Sequence, residues 1–80
     1  MNNTFTMDKL EIGQSATVLK INTVGNMRRR FIDLGLIEST VIQCVGKSPA
    51  GDPKAYLIKG AVIAIRQEDT KGIDIKLLEN

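Results

Sequence analysis

The sequence predicts a mostly β domain, a small barrel of about five short strands with one short α-helix after the first strand. The chain has 80 residues, which is enough for one small hydrophobic core. Apolar and polar residues alternate with a period of two in several short segments, and one segment near the first of them follows a helical period instead. So many short strands in so short a chain are expected to curl, because closure of a sheet removes its exposed edges.

Alternation of side chains and turn residues marks the strands. They are predicted over 15–21, 40–46, 55–58, 61–66 and 73–78. In the first strand, Ala16 and Val18 share one face, whereas Leu19 and Ile21 share the other. The third and fourth strands are joined by Lys59-Gly60, which predicts a tight hairpin. The count and the short connections together predict a small SH3-like β-barrel.

One short helix is predicted over 26–34. Its apolar stripe, at the i, i+3, i+7, i+10 spacing, consists of Val24, Met27, Phe31 and Leu34. Asn26 is a candidate N-cap, and Gly35 is placed to take the left-handed position after the last helical residue. Leu36 would then fold back on the last turn.

The remaining segments are polar. Residues 1–7 are predicted to be a flexible N-terminus, so that a single domain covers residues 8–80. The segments 47–53 and 68–72 read as a turn-rich loop and a polar turn. No internal repeat and no linker divides the chain.

Composition excludes most kinds of catalytic or metal site. The chain has no histidine, so the commonest general base and transition-metal ligand are missing. The single cysteine, Cys44, lies in a strand and is predicted to be a buried, inert thiol. Glu68-Asp69 offers too few oxygens for a hard cation. We therefore predict that the chain is not an enzyme and has no cofactor and no metal site.

The charge and the N-terminus bear on location and on partners. The net charge is +2, which by itself is too small to indicate nucleic acid. The N-terminus lacks the basic and apolar segments of a signal peptide, and the longest apolar run, 61–65, is too short to span a bilayer. These features predict a cytoplasmic protein of bacterial type. The run Arg28-Arg29-Arg30 is either a solvated helix face or a contact surface.

Several short motifs follow one another along the chain: Asp33-Leu34-Gly35-Leu36, Pro49-Ala50-Gly51-Asp52-Pro53, Gly60, Ile63-Ala64-Ile65-Arg66 and Ile73-Asp74-Ile75. With these motifs in this order, the chain resembles, from residue 7 to residue 78, the FeoA family of bacterial ferrous iron transport proteins. The family usually has Pro-Gly where this chain has Glu38-Ser39. Because serine adopts a positive φ less readily than glycine, this departure predicts a changed turn into the next strand.

The resemblance implies an SH3-like fold and a role as cytosolic accessory to FeoB, the membrane GTPase that carries ferrous iron. The candidate partner-binding residues are Arg30, Leu36, Gly51, Asp52, Pro53 and Arg66. Leu36 is included on the expectation that it is half exposed. Two alternatives stay open: a small basic barrel that binds nucleic acid through the arginine run, and a stand-alone regulatory module related to the C-terminal domain of metal-dependent repressors. A weak homo-oligomer also stays open.

Overall fold

The computed structural model describes residues 3–78. Strands dominate this range, with two short α-helices and one 3₁₀ helix between them. The elements follow in the order β1 (Thr4–Thr6), the 3₁₀ helix (Met7–Lys9), β2 (Ser15–Ile21), α1 (Gly25–Asp33), β3 (Val41–Lys47), β4 (Lys54–Ile58), β5 (Ala61–Ile65), α2 (Gln67–Thr70) and β6 (Ile73–Leu77).

All six strands form one antiparallel sheet in the order β1-β6-β2-β3-β4-β5. The last strand of the chain therefore lies between β1 and β2, and β1 and β5 are the two edges. Register shifts in β2 and β3 mark bulges, which increase the local twist and help the sheet to curl over its core. The predicted mostly β class, with the main helix after the strand over 15–21, is confirmed. The sheet has one strand more than about five.

The additional strand corrects the prediction of a flexible segment over residues 1–7. Residues 4–6 pair with β6, with Phe5 opposite Ile75, and Met7 is completely buried. The segment is ordered because Phe5 and Met7 anchor it to the core, although the residues around them are polar. Residues 1 and 2 lie outside the described residues.

The inner face of the sheet supplies most of the core. Cys44 is completely buried and free, as predicted. In β2 the predicted faces are only partly right. A bulge between Val18 and Lys20 turns Ile21 to the core, so that Leu19 and Lys20 both face outward. The buried apolar residues are Met7, Leu10, Ala16, Val18, Ile21, Phe31, Leu36, Ile42, Cys44, Tyr56, Ile58, Ile65, Ile73 and Ile75.

Helix α1 begins earlier than predicted and packs with a narrower stripe. Asn26 is not its N-cap, because Val24 holds that position with extended φ and ψ angles. Val24 is 80% exposed, since its extended backbone takes its side chain off the helical stripe. Phe31 alone of the helix is fully buried, and Met27 packs against the core beside it.

The end of α1 is the predicted Schellman cap. Gly35 has a φ of 92°, and its N–H donates to the carbonyl of Ile32 at 3.0 Å. The N–H of Leu36 donates to the carbonyl of Phe31 at 2.8 Å. These two bonds satisfy carbonyl groups that a helix end leaves unpaired, and they direct Leu36 into the core.

A second positive φ follows in the turn before β3. Ser39 has a φ of 74°, in the region that favours glycine, and its N–H donates to the carbonyl of Val18 at 2.8 Å. The sequence departure at this position is thus accommodated by a serine in a left-handed conformation.

The β4–β5 hairpin is the predicted tight one. Lys59 and Gly60 both have positive φ values, 50° and 83°, as a two-residue type I′ turn requires. The segment after β5 differs from its prediction as a polar turn, because Gln67–Thr70 forms the short helix α2. Thr70 is completely buried there and bonds to carbonyl oxygens of the same turn.

Candidate functional site

A groove lies between helix α1 and the edge strand β5. Its volume is about 290 Å³. We call it the α1–β5 groove; α1 contributes Met27, Arg30, Phe31 and Leu34, and the segment from β5 into α2 contributes Ile63, Ala64, Ile65, Arg66 and Asp69. The floor is apolar and the rim is charged, which is the usual arrangement of a protein-binding surface.

The groove brings together the two arginines that the sequence singled out. Arg30 lies on the groove side of α1, three residues after Met27 and four before Leu34. Arg66 follows β5 directly and occupies the N-cap position of α2. Both side chains are exposed, and neither has a hydrogen bond or an ion pair to any part of the chain between residues 3 and 78. Asp69 is the one acidic residue of the lining, so the groove carries a net positive charge.

The other two arginines of the run do not share this position. The Nη1 of Arg28 donates to the carbonyl of Ile21 at 2.8 Å, which fixes that side chain against β2. Arg29 is exposed and lies outside the lining of the groove. The three arginines of the run therefore differ in position: Arg28 is fixed against β2, Arg29 faces outward and Arg30 lines the groove.

The loop over 48–53 supports the segment that carries Arg66. The Oδ1 of Asp52 accepts a hydrogen bond from the N–H of Gln67 at 2.9 Å, and the Nε2 of Gln67 donates to the carbonyl of Gly51 at 3.2 Å. Ser48 closes the loop, with its Oγ donating to the carbonyl of Asp52 at 2.6 Å and its N–H donating to that of Pro53 at 3.0 Å. Asp52 thus caps α2, and the loop lies beside the groove rather than within its lining.

The prediction that Leu36 is half exposed is wrong. Its exposed fraction is 0%, because the Schellman cap turns its side chain into the core. The exposed apolar residues close to it in sequence are Ile32 and Ile37, at 43% and 42%. Together with Ile21, Arg28 and Glu38 they line a separate depression of about 300 Å³.

The sequence did not reveal that β5 is an edge strand. Ile58 and Ala61 flank the two-residue turn, so they exchange both of their backbone hydrogen bonds. Because such pairs alternate along an antiparallel ladder, the N–H and C=O groups of Val62 and Ala64 point away from β4. No further strand pairs with β5 among the described residues, so these groups face the open edge. The absence of charge and proline in Ala61–Ile65 gives no protection against pairing.

The outer face of the sheet beside this edge is also apolar. Val41, Leu57 and Val62 are 55%, 36% and 65% exposed. Leu57 and Val62 are directly opposed on β4 and β5, so their side chains form one patch that extends to the open edge. The alternation in the sequence separates the two faces of each strand but does not show that these residues are neighbours.

The buried polar side chains are placed for structure. Burial raises the pKa of Tyr56 from 10.0 to about 12, with a smaller contribution from Cys44, and the hydroxyl donates to the carbonyl of Met7 at 3.4 Å. In the part of the chain from Asn3 to Leu78, no three His, Cys, Asp or Glu side chains group together in a way that would hold a metal ion. Nor is any helix in this range long and apolar enough to cross a membrane.

The fold is shared with several solved structures. The crystal structure of Stenotrophomonas maltophilia FeoA complexed with zinc, a prokaryotic SH3-domain protein, has a TM-score of 0.80 at 22% identity, over 90% of this chain and 89% of that chain. A manganese-dependent transcriptional repressor has a TM-score of 0.84 at 15% identity, over 98% of this chain and 43% of that chain. The predicted SH3-like fold is confirmed.

Closer likenesses in sequence point to one family. The NMR structure of a FeoA-like protein from Clostridium acetobutylicum is 29% identical with a TM-score of 0.88, over 100% of this chain and 93% of that chain. The Fe(2+) transport protein A/Fe(2+) transporter FeoB fusion protein of Porphyromonas gingivalis is 26% identical over 74 residues, which are 92% of this chain and only 9% of that protein. The FeoA domain family model matches residues 5–77. The chain therefore belongs to the FeoA family, a bacterial family associated with ferrous iron transport.

Proposed function

We propose that the protein is a cytosolic accessory of bacterial ferrous iron uptake, which docks on a FeoB-type membrane GTPase and modulates it. One observation carries this proposal: in the Porphyromonas gingivalis relative, the matching segment and the transporter are parts of a single polypeptide. Fusion holds two domains at a high effective concentration, so it favours pairs that act together.

The surface of the domain supports a docking role. The α1–β5 groove has two arginines without partners in the described chain, above an apolar floor. Arginine is among the residues enriched in protein interfaces, because its guanidinium group makes several directional bonds to carboxylates. The exposed patch of Leu57 and Val62 adjoins the edge of β5 and would enlarge the apolar part of such an interface.

The arrangement of the arginines is less favourable to nucleic acid. A basic helix that binds a phosphate backbone offers its cations side by side, and the affinity then falls steeply with salt. Here Arg28 is committed to the carbonyl of Ile21, and Arg30 lies in a groove with Asp69. Base stacking would also need exposed aromatic rings, whereas Phe31 and Tyr56 are buried and Phe5 is partly buried against the core.

The test is a binding and activity measurement with the full-length transporter in detergent. We expect saturable binding of the protein to the transporter, and a change in the rate of GTP hydrolysis that saturates over the same concentration range. A matched control uses the protein after heat unfolding. Absence of binding both to the transporter and to its isolated GTPase domain would contradict the proposal.

A further inference from the structure

We infer that the α1–β5 groove binds an extended segment of a partner protein, which adds to the edge of β5 as a seventh strand and places an acidic side chain between Arg30 and Arg66. The inference goes further than docking, because it names the surface and the chemistry of what it binds. Which partner supplies the segment rests on the proposed function, whereas the binding chemistry does not.

The open edge of β5 supplies the backbone part of the site. Val62 and Ala64 each direct one N–H donor and one C=O acceptor away from β4. Both residues are exposed, so an incoming strand meets no covering element on the outer side. Strand addition to such an edge is a recurrent mode of peptide recognition, in which the main chain gives affinity and alternate side chains give specificity.

The two edges of the sheet differ in how readily they could pair with a further strand. β1 has three residues, two of them threonine, which leaves little length for a further strand. β5 has five residues, all apolar, and no lysine, proline or bulge that would oppose pairing. An edge of this kind is a hazard for aggregation unless something covers it, which favours β5 as a binding edge.

The charges of the groove select the occupant. The guanidinium groups of Arg30 and Arg66 have no partner within residues 3–78, and Asp69 offsets only part of their charge. A carboxylate is the group that a planar guanidinium binds best, through two parallel hydrogen bonds. An acidic side chain of the added strand would therefore complete the groove, whereas a basic one would be repelled.

The floor of the groove defines a second position. Met27, Phe31 and Ile63 make it apolar, and its volume of about 290 Å³ is at the lower limit of small-molecule clefts. Because alternate side chains of a strand point to the same face, the acidic residue and an apolar residue should stand two positions apart. The expected motif is thus an apolar residue and an acidic residue separated by one residue, within an extended and otherwise unstructured segment.

The test uses a short blocked peptide in which threonine alternates with isoleucine, valine and glutamate. A matched peptide has lysine in place of glutamate. Fluorescence anisotropy at low salt should show binding about tenfold tighter for the glutamate peptide, with the preference reduced by added salt. Substitution of both groove arginines, Arg30→Gln with Arg66→Gln, should remove the preference, and Arg29→Gln should leave it unchanged.

Hydrogen exchange tests separately whether the peptide adds to β5 as a strand. Binding should slow hydrogen exchange at the amides of Val62 and Ala64, since both gain acceptors, and should leave Ala61 and Ile63 unchanged. Ala64→Pro removes one of these donors without removing a bond to β4, so it should weaken peptide binding by about tenfold or more. Equal affinity for the glutamate and lysine peptides, or peptide binding that does not slow exchange at Val62 and Ala64, would overturn the inference. The exchange measurement requires no variant and stands even if Ala64→Pro does not fold.

Titration with the transporter separates this inference from the proposed function. If the transporter binds the wild-type protein and Ala64→Pro equally well, the groove is not the docking surface, although the proposed function stands. If the glutamate peptide binds as described but the transporter does not bind, the proposed function fails and the groove chemistry stands. Loss of transporter binding in folded Ala64→Pro supports both.

Discussion

The carboxylate of Asp52 accepts a hydrogen bond at 2.9 Å from the N–H of Gln67, the first residue of helix α2. This bond joins the 48–53 loop, which lies outside the groove, to the segment that carries Arg66, which lines it. Asp52 compensates for the missing local cap, since Arg66 at the N-cap position makes no side-chain capping bond. The negative charge of Asp52 is also favourable there, because the N-terminus of a helix carries a partial positive charge.

We expect Asp52→Ala to destabilise the domain by about 1 kcal/mol, the usual cost of losing a helix cap. Urea denaturation followed by circular dichroism measures this loss. Asp52→Asn is the matched control, because its amide oxygen can accept the same bond, and we expect it to lose less than half as much. Equal stability of Asp52→Ala and the wild type would show that the loop is not held by this bond.

Because Leu36 is buried, a substitution at this position should report on stability rather than on partner contact. Since the side chain is completely buried, we expect Leu36→Ala to cost about 2–5 kcal/mol, a large fraction of the stability of so small a domain. Ile37→Ala, at an exposed neighbour, should change stability by about 0.5 kcal/mol or less. Thermal unfolding of the two variants provides the comparison. If Leu36→Ala retained full stability but lost partner binding, Leu36 would be a contact residue after all.

The turn before β3 offers a stabilising substitution. Ser39 has a φ of 74°, where a residue with a Cβ is strained and glycine is not. We expect Ser39→Gly to stabilise the domain by about 0.5–1 kcal/mol, because it keeps the backbone bond to Val18 and removes the strain. Glu38→Gly is the control, since Glu38 does not have a positive φ and should gain nothing. A loss of stability in Ser39→Gly would mean that the serine hydroxyl makes a contribution larger than the strain.

Alkaline pH should destabilise the domain through its single tyrosine. Burial raises the pKa of Tyr56 in the folded protein to about 12, whereas the unfolded chain titrates near 10.0. The unfolded state therefore loses its phenolic proton first, so stability is unaffected below pH 10.0 and falls as the pH rises from there towards 12. The contribution of this one group falls by up to about 1.4 kcal/mol per pH unit within that window.

The variant Tyr56→Phe isolates this effect, because the phenylalanine has no proton to lose. The urea midpoint of the wild type, relative to that of Tyr56→Phe, should be constant below the window and fall within it. Ultraviolet absorbance of the phenolate reports the same ionisation directly, since the chain has no tryptophan and no second tyrosine. Ionisation near 10.0 in the folded protein would contradict the burial of Tyr56.

The parts of the fold that local sequence patterns determine are predictable from the sequence. The Schellman cap at Gly35 and the turn at Lys59-Gly60 depend on adjacent residues, so their signals are complete within a few positions. The strand over Thr4–Thr6 depends on β6, which is about 70 residues away along the chain, and nothing near Phe5 reveals that partner. The bulge that turns Ile21 inward likewise follows from pairing with β6 rather than from the alternation in β2.

Individual residues of the candidate site were predictable from the sequence, but their arrangement in one groove was not. Arg30 and Arg66 were each selected from the sequence, but their position in one groove depends on how α1 packs beside β5. The open edge at Val62 and Ala64 was not foreseen, because strand order in a sheet leaves no periodic signal in the sequence. The apolar, charge-free composition of Ala61–Ile65 is compatible both with a buried strand and with an unprotected edge.

The most direct test of the central claim is an amide-shift titration of the isotope-labelled protein with the FeoB-type transporter in detergent, and with its isolated GTPase domain. We expect the largest shifts and line broadening along β5 and on the groove side of α1, including Ala64, Arg30 and Arg66. The residues of β1, at the opposite edge of the sheet, should change least and serve as the internal control. A titration that perturbs no amide with either partner would contradict the claim that this domain docks on the transporter.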